Sequence, residues 1–197
     1  TRELVRVSAE SAYGRKKTGA YACRHFHIPV QSGDDGILRA MGRNYTAERC
    51  ASRFAELARA IPGICLGADF IAGFPGESEH DHDSTRALID ELPFTYLHVF
   101  PFSPRDGTVA VRLPHPVPQR VSGQRSRELR EIAQAKGREY RETRVGGSAE
   151  VVVEGDGGTA LTGDYLRVGV GGALRTAHHH EQTGTLERLP TGTLQGD

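Results

Sequence analysis

The run Asp69-Phe-Ile-Ala-Gly-Phe-Pro-Gly-Glu77 holds the residues best placed to do chemistry. An apolar stretch from Ile64 to Ala72 stops abruptly in Gly73-Phe-Pro-Gly76, and acidic residues that read as a helix start come next. A strand that ends in a Gly/Pro turn and feeds a helix is the unit of an α/β sheet, and such sheets bind ligands at the carboxyl ends of their strands. Gly73 and Gly76 lack Cβ, so the backbone can turn sharply there and a flat ligand can approach its peptide groups. The plain alternative is a turn with a helix N-cap, and one turn can serve as both. Two other segments share this grammar. His25-Phe-His-Ile-Pro-Val-Gln-Ser-Gly-Asp34 runs from strand through polar turn to helix, and Tyr96 to Thr108 is a strand breaking into a Pro/Gly loop. His25 and His27 alternate and share a strand face, but no third ligand lies within sequence reach, so a core or barrel-lining role is expected and no metal site.

These segments need a scaffold, and local signals supply one. Strand 24–30 leads to a short helix 35–41 that buries Ile37, Leu38 and Met41. Thr46 reads as the N-cap of helix 47–60, whose apolar positions Cys50, Ala51, Phe54, Leu57, Ala58 and Ile61 follow the helical period until Pro62-Gly63. Strand 64–72 follows. Ser78 with Asp81 three residues on forms a capping arrangement for helix 79–91. Strand 95–100 comes next, and Pro114, Pro116 and Pro118 mark a boundary. This alternation predicts parallel strands with crossover helices. A polar helix, 118–142, then precedes a Gly-, Thr- and Val-rich region. There, 149–154, 161–170 and 184–189 read as short strands of a small antiparallel barrel.

The 197 residues carry 25 Lys plus Arg and 25 Asp plus Glu, so net charge alone indicates no polyanion partner. The distribution is uneven. Eight basic side chains (Arg120, Arg125, Arg127, Arg130, Lys136, Arg138, Arg141 and Arg144) stand against four acidic ones in 119–144. That pattern suits either a phosphate-contacting segment or a solvated helix face. Tyr165 and Arg167, read as alternating on one strand, suit base stacking and phosphate contact, or an ordinary half-exposed strand. No apolar run approaches the ~18 residues of a membrane span. Cys23, Cys50 and Cys65 are the only cysteines; they are widely spaced and fit a reducing cytoplasm better than a disulfide framework. Cys50 and Cys65 are expected to be buried and inert, His80-Asp-His82 to be a solvated helix start, and His178-His-His180 to hold no physiological metal.

Three blocks, in order across residues 23–110, resemble the second half of the radical S-adenosylmethionine (SAM) barrel of the methylthiotransferase family. The family runs are H-x-H-[IL]-P-[VL]-Q-S-G-[SD]-D, D-x-I-x-G-F-P-G-E and [FY]-S-x-R-x-G-T. The phrase Leu161-Thr-Gly-Asp-Tyr-Leu-Arg-Val168 resembles the TRAM domain, the RNA-binding module that ends this family. The resemblance implies a fold of half a (β/α) partial barrel over 1–117, a basic helical linker over 118–145 and an OB-like TRAM domain over 146–197. Residues 1–22 are a truncated helix and an inserted loop on this reading.

It also implies SAM as cofactor, held by Gln31, Ser32, Arg43 and Asp69. An amide and a carboxylate can bond ribose hydroxyls, and a guanidinium can fork onto the methionyl carboxylate. An Arg43–Asp69 structural ion pair is the alternative. Gly73, Phe74, Pro75, Gly76 and Glu77 would form the adenine-side wall, with Phe102 and Ser103 nearby. Arg125, Arg130, Lys136, Arg138, Arg141, Tyr165 and Arg167 would meet the anticodon stem-loop of tRNA.

The family uses two 4Fe–4S clusters and an electron donor, but the C-x-x-x-C-x-x-C ligands are not in this sequence. The chain therefore reads as the C-terminal portion of a longer enzyme, inactive alone and without a stable protein partner. The reaction would insert a methylthio group by radical chemistry. Leu97-His-Val-Phe-Pro-Phe-Ser103 resembles the branch acting on threonylcarbamoyladenosine more than the isopentenyladenosine branch or the branch acting on an aspartate of a ribosomal protein. An inert RNA-binding module is the alternative from another class.

Overall fold

The computed structural model describes residues 23–154 and 158–169, together with the backbone of 175–176 and 182–185. The expectations for residues 1–22 and for His178–His180 lie outside the described residues.

The described residues form two sheets. The first is parallel, in the order β1 (His25–His27), β2 (Cys65–Ala72), β3 (Tyr96–Pro101). Its crossovers carry helices α1 (Asp35–Ala40), α2 (Ala47–Ala60) and α3 (Glu79–Glu91). Their starts are set locally. The side chains of Asp34 and Thr46 accept from the amides of Ile37 and Arg49, and Ser78 and Asp81 form a reciprocal capping box. A 3₁₀ turn (Val109–Arg112) leads to the long helix α4 (Gln119–Arg144).

The period-2 alternation of strands gives this sheet two unlike faces. Leu66, Ala68, Phe70, Ala72 and Val99 pack with Phe54, Leu57, Ile61, Leu88, Ile89 and Leu129 of the helices. Phe94 anchors this core edge-on against Phe54 and Phe70, with centroids 4.7 and 5.9 Å apart. The opposite face carries His25, His27, Gly67, Asp69, Tyr96, His98 and Phe100, and Phe100 is 53% exposed. An apolar face under helices and a polar, aromatic face left open is the arrangement of part of an α/β barrel.

The second sheet is antiparallel, ordered β6 (Arg167–Gly169), β5 (Thr159–Thr162), β4 (Ser148–Glu154), β8 (Gln182–Thr185), β7 (Arg175–Thr176). The expected strand over 161–170 is instead two strands, β5 and β6, with a turn between them. Thr162 holds that turn: its hydroxyl accepts from the Leu166 amide, and Tyr165 takes φ +64°. The turn exists because Asp164 is drawn inward. Only 1% exposed, Asp164 accepts from Tyr140 Oη at 2.8 Å and Arg144 Nε at 2.6 Å, both on α4. Burial raises its carboxyl and these bonds outweigh that, so Asp164 stays below the usual aspartate range.

Candidate functional site

The three strand–turn units bring their turns to one edge. Gln31 bridges to Phe70 beside the end of β2, donating its amide to the Asp69 carbonyl at 2.8 Å. Gly73 closes β2, and the Phe102 amide bonds the Ala72 carbonyl at 2.8 Å. Phe74 and Phe102 meet edge-on, 5.2 Å between centroids. Gln31, Ser32, Gly73, Phe74, Phe102 and Ser103 thus share the carboxyl end of the sheet. Gln31 sits at φ +76°, a conformation that costs a residue with a Cβ about 1–3 kcal/mol and recurs at ligand sites.

Several of the expected ligand residues also hold the scaffold. Ser32 is 1% exposed and lies 3.4 Å from the Thr85 hydroxyl; a Cβ on Gly33 would fall 2.6 Å from Thr85 Cα. The Gln31-Ser32-Gly33 turn is therefore wedged against α3. Gly73, at φ +78°, touches α4 so closely that a Cβ would lie 1.9 Å from Ser122 Oγ. Phe74, Pro75 and Glu77 are buried, whereas Gly76 is exposed with open space where a Cβ would stand. Glu77 accepts from the Gly73 amide at 3.0 Å and from Arg125 at 2.8 Å. Burial pushes the Glu77 carboxyl up, against the Gly73 amide and the Arg125 charge.

The open face gathers a second group. Asp69 Oδ1 lies 2.8 Å from His27 Nε2 and 3.3 Å from His98 Nδ1. Tyr96 Oη lies 2.7 Å from His25 Nε2 and 2.9 Å from His27 Nδ1. Gly67 permits this, because a Cβ there would stand 2.0 Å from the Tyr96 ring. Burial pushes the Tyr96 phenol well up, so it stays protonated; burial and then the neighbouring His27 hold His25 low, so it stays neutral. Asp69 does not pair with Arg43, which is exposed just beyond α1 with no side-chain partner among the described residues. The structural ion pair considered from the sequence is absent, and the carboxylate's partners are imidazoles.

These imidazoles change the reading of the strand. His27, which lacks a third ligand in sequence reach, acquires Asp69 and His98 through strand register, since Asp69 pairs with His98 and His27 with Gly67. The alternation Tyr96/His98 beside Asp69 carries that signal once strand order is known.

The basic residues divide. Arg125, expected to face RNA, is 6% exposed and binds Glu77 and Glu79. Arg130 donates two bonds to the Val99 carbonyl, and Lys136 caps the end of α3 through the Asp90 and Leu92 carbonyls. Arg138 and Arg141 remain exposed. Tyr165 and Arg167 do not share a strand: Tyr165 lies in the turn, stacked on His25 at 4.1 Å and 7°, and Arg167 opens β6, exposed. His82, read as solvated, is 1% exposed and bonds Glu128 at 3.0 Å. Cys65 is buried against Thr95, and its thiol is pushed up to about 11. Cys50 is half-buried and Cys23 exposed, and among the described residues the three thiols do not come together as a ligand set. Among the described residues, no helix is long and apolar enough to cross a membrane.

Helices behind an open-faced parallel sheet, followed by a small antiparallel sheet, define a mixed α/β protein consistent with a partial radical SAM fold plus a β domain. No family model matches the chain. It is 40% identical over 154 residues to the tRNA-2-methylthio-N(6)-dimethylallyladenosine synthase of Coxiella burnetii, covering 76% of this chain and 35% of that protein. The synthase of the same name from Sorangium cellulosum is 42% identical over 159 residues, 79% of this chain and 31% of the relative. The threonylcarbamoyladenosine tRNA methylthiotransferase MtaB of Treponema pallidum is 37% identical over 180 residues, 90% and 37% of the two chains. Over most of its length the chain is thus homologous to tRNA methylthiotransferases, and it spans about a third of the length of these relatives.

Proposed function

We propose that this chain supplies the SAM-facing edge and the RNA-facing domain of a tRNA methylthiotransferase. The observation that carries the reading is the convergence of three turns at the carboxyl edge of one sheet, in a chain homologous to such enzymes. The residues fit SAM in a specific way. Gly76 leaves open backbone, Gln31 is held in a ligand-site conformation, and Asp69 keeps its second carboxylate oxygen uncommitted. Arg43 is a free guanidinium for the methionyl carboxylate, and Ser103 is exposed beside Phe102. Bound SAM would supply the radical source and the methyl group. Ser32, Gly73, Phe74, Pro75 and Glu77 are buried and shape the turns of this site, and the backbone from Gly73 to Glu77 forms its adenine-side wall. The 4Fe–4S clusters and their electron donor belong to the enzyme's other parts, because the cysteines here do not fit a cluster.

On this reading the substrate is N6-threonylcarbamoyladenosine in the tRNA anticodon loop. Leu97–Ser103 resembles that branch, and the Treponema relative matches 90% of the chain. N6-dimethylallyladenosine is the second reading, favoured by the 40–42% identity of the other two relatives. Disrupting the gene that encodes this chain and analysing tRNA nucleosides by mass spectrometry separates them. Loss of the methylthio group from the threonylcarbamoyl nucleoside alone supports the first. Loss from the dimethylallyl nucleoside alone supports the second, and loss from neither rejects both.

A further inference from the structure

We propose that His27, Asp69 and His98 bind one divalent transition-metal ion on the open face of the parallel sheet, with at least one coordination position left for an exchangeable ligand. Two imidazoles and a carboxylate are the donor set that such ions take, with zinc–nitrogen and zinc–oxygen bonds of about 2.0–2.2 Å. Two such ligands at a tetrahedral ion stand about 3.3 Å apart. The separations from Asp69 Oδ1 are 2.8 Å to His27 Nε2 and 3.3 Å to His98 Nδ1, and all three donor atoms lie within 4.8 Å of one another. A small rotation of the rings places an ion between them. The side chains of His27, Asp69 and His98 are 27%, 27% and 56% exposed, so an ion can enter from the open face and keep a solvent-facing position.

The surroundings are built for it. A ligating imidazole needs its other nitrogen fixed by a hydrogen bond, which sets tautomer and ring orientation. His27 has this: with Nε2 on the metal, Nδ1–H donates to Tyr96 Oη, whose own proton goes to His25 Nε2. Gly67 is the residue that lets the Tyr96 ring lie where it meets both histidines. Two imidazole nitrogens already lie within 3.3 Å of one oxygen of Asp69. With an ion bound, the same three groups present lone pairs to it.

The test is titration of the 197-residue chain with Co(II), in a background where His178, His179 and His180 are each changed to Ala, so that those three histidines cannot compete. The expected result is one Co(II) per chain with the visible absorption of a nitrogen/oxygen site. His98→Ala, at an exposed position, should weaken binding at least tenfold with unchanged circular dichroism, and Asp69→Asn should do the same. Tyr96→Phe should retain the spectrum and weaken binding about 10–100-fold. Binding that is unaltered in His98→Ala and Asp69→Asn would mean an adventitious ion only, and no stoichiometric binding would equally overturn the site. SAM calorimetry on His98→Ala keeps the two readings apart, since His98 has no part in the proposed SAM edge.

Discussion

Replacing Arg125 with methionine tests how the Gly73–Glu77 turn is held. The Arg125 and Glu77 side chains are 7% and 2% exposed and 2.8 Å apart, so the change strands a carboxylate in the core with the Gly73 amide as its remaining donor. Removing one partner of a buried pair costs about 3–5 kcal/mol. Here the cost has a ceiling, because Glu77 can take a proton instead. From an unfolded value near 4.3, that proton costs about 3.5 kcal/mol at pH 7 and about 1 kcal/mol at pH 5. The sign follows: with a folded pKa raised above the unfolded one, the folded state binds the extra proton, and stability falls as pH rises between the two values. At about 2–4 °C per kcal/mol for a chain of this size, the melting temperature should drop roughly 7–14 °C at pH 7 and roughly 2–4 °C at pH 5. Thermal unfolding by circular dichroism at both pH values measures this, with Glu77→Gln added to Arg125→Met as the rescue. An equal loss at the two pH values, or no rescue, would refute the buried-charge account and leave lost packing as the cause.

Three further outcomes are expected. Gly67→Ala should cost about 1–3 kcal/mol in urea unfolding by overpacking, because its Cβ would stand 2.0 Å from the Tyr96 ring; an unchanged midpoint would mean the ring is not held there. On the proposed tRNA reading, changing Arg138 and Arg141 to Ala should flatten the log–log salt dependence of tRNA binding by about 0.7–0.9 per lost phosphate contact, read by anisotropy across a salt series; an unaltered slope would remove α4 from the proposed RNA surface. A thiol reagent at pH 8 should label exposed Cys23 at once and spare Cys65 until the protein unfolds, since the Cys65 thiol sits near 11; mass spectrometry of the labelled peptides decides.

The elements that were legible in the sequence are those whose causes are local. Helices α2 and α3 begin and end where Thr46, Ser78 and the apolar period place them, because a cap needs partners only two or three residues away. The three strand–turn units were legible for the same reason, and a parallel sheet with its turns at one edge follows from their order. What was hidden depends on contacts between distant residues. Asp164 breaks the strand expected over 161–170 because Tyr140 and Arg144, about two dozen positions earlier, offer it a buried site. Within the basic run of α4, the inward place of Arg125 was hidden because counting charge ignores the helix face. Ser122, Arg125, Ser126, Leu129, Ala133 and Gly137 are its buried residues, spaced by three and four, so Arg125 stands in the inward stripe.

The same distinction governs the two candidate sites. The carboxyl edge of the sheet is spelled by contiguous motifs and was readable as turns, although the structure gives many of their side chains to scaffolding. The imidazole–carboxylate group on the open face is spread over three strands, and no spacing in the sequence announces it. It exists because parallel pairing sets Asp69 opposite His98 while a two-residue alternation returns His27 to the same face. Tyr165 then closes the amino end of that face by stacking on His25, in a turn whose conformation is fixed from α4 through Asp164. The terminal domain thereby meets the open face of the sheet through the Tyr165 ring, which stacks on His25 and Tyr96, and is anchored on α4 by one buried carboxylate. A change at Asp164 should therefore reach the histidines by moving a ring, with no direct contact between the two.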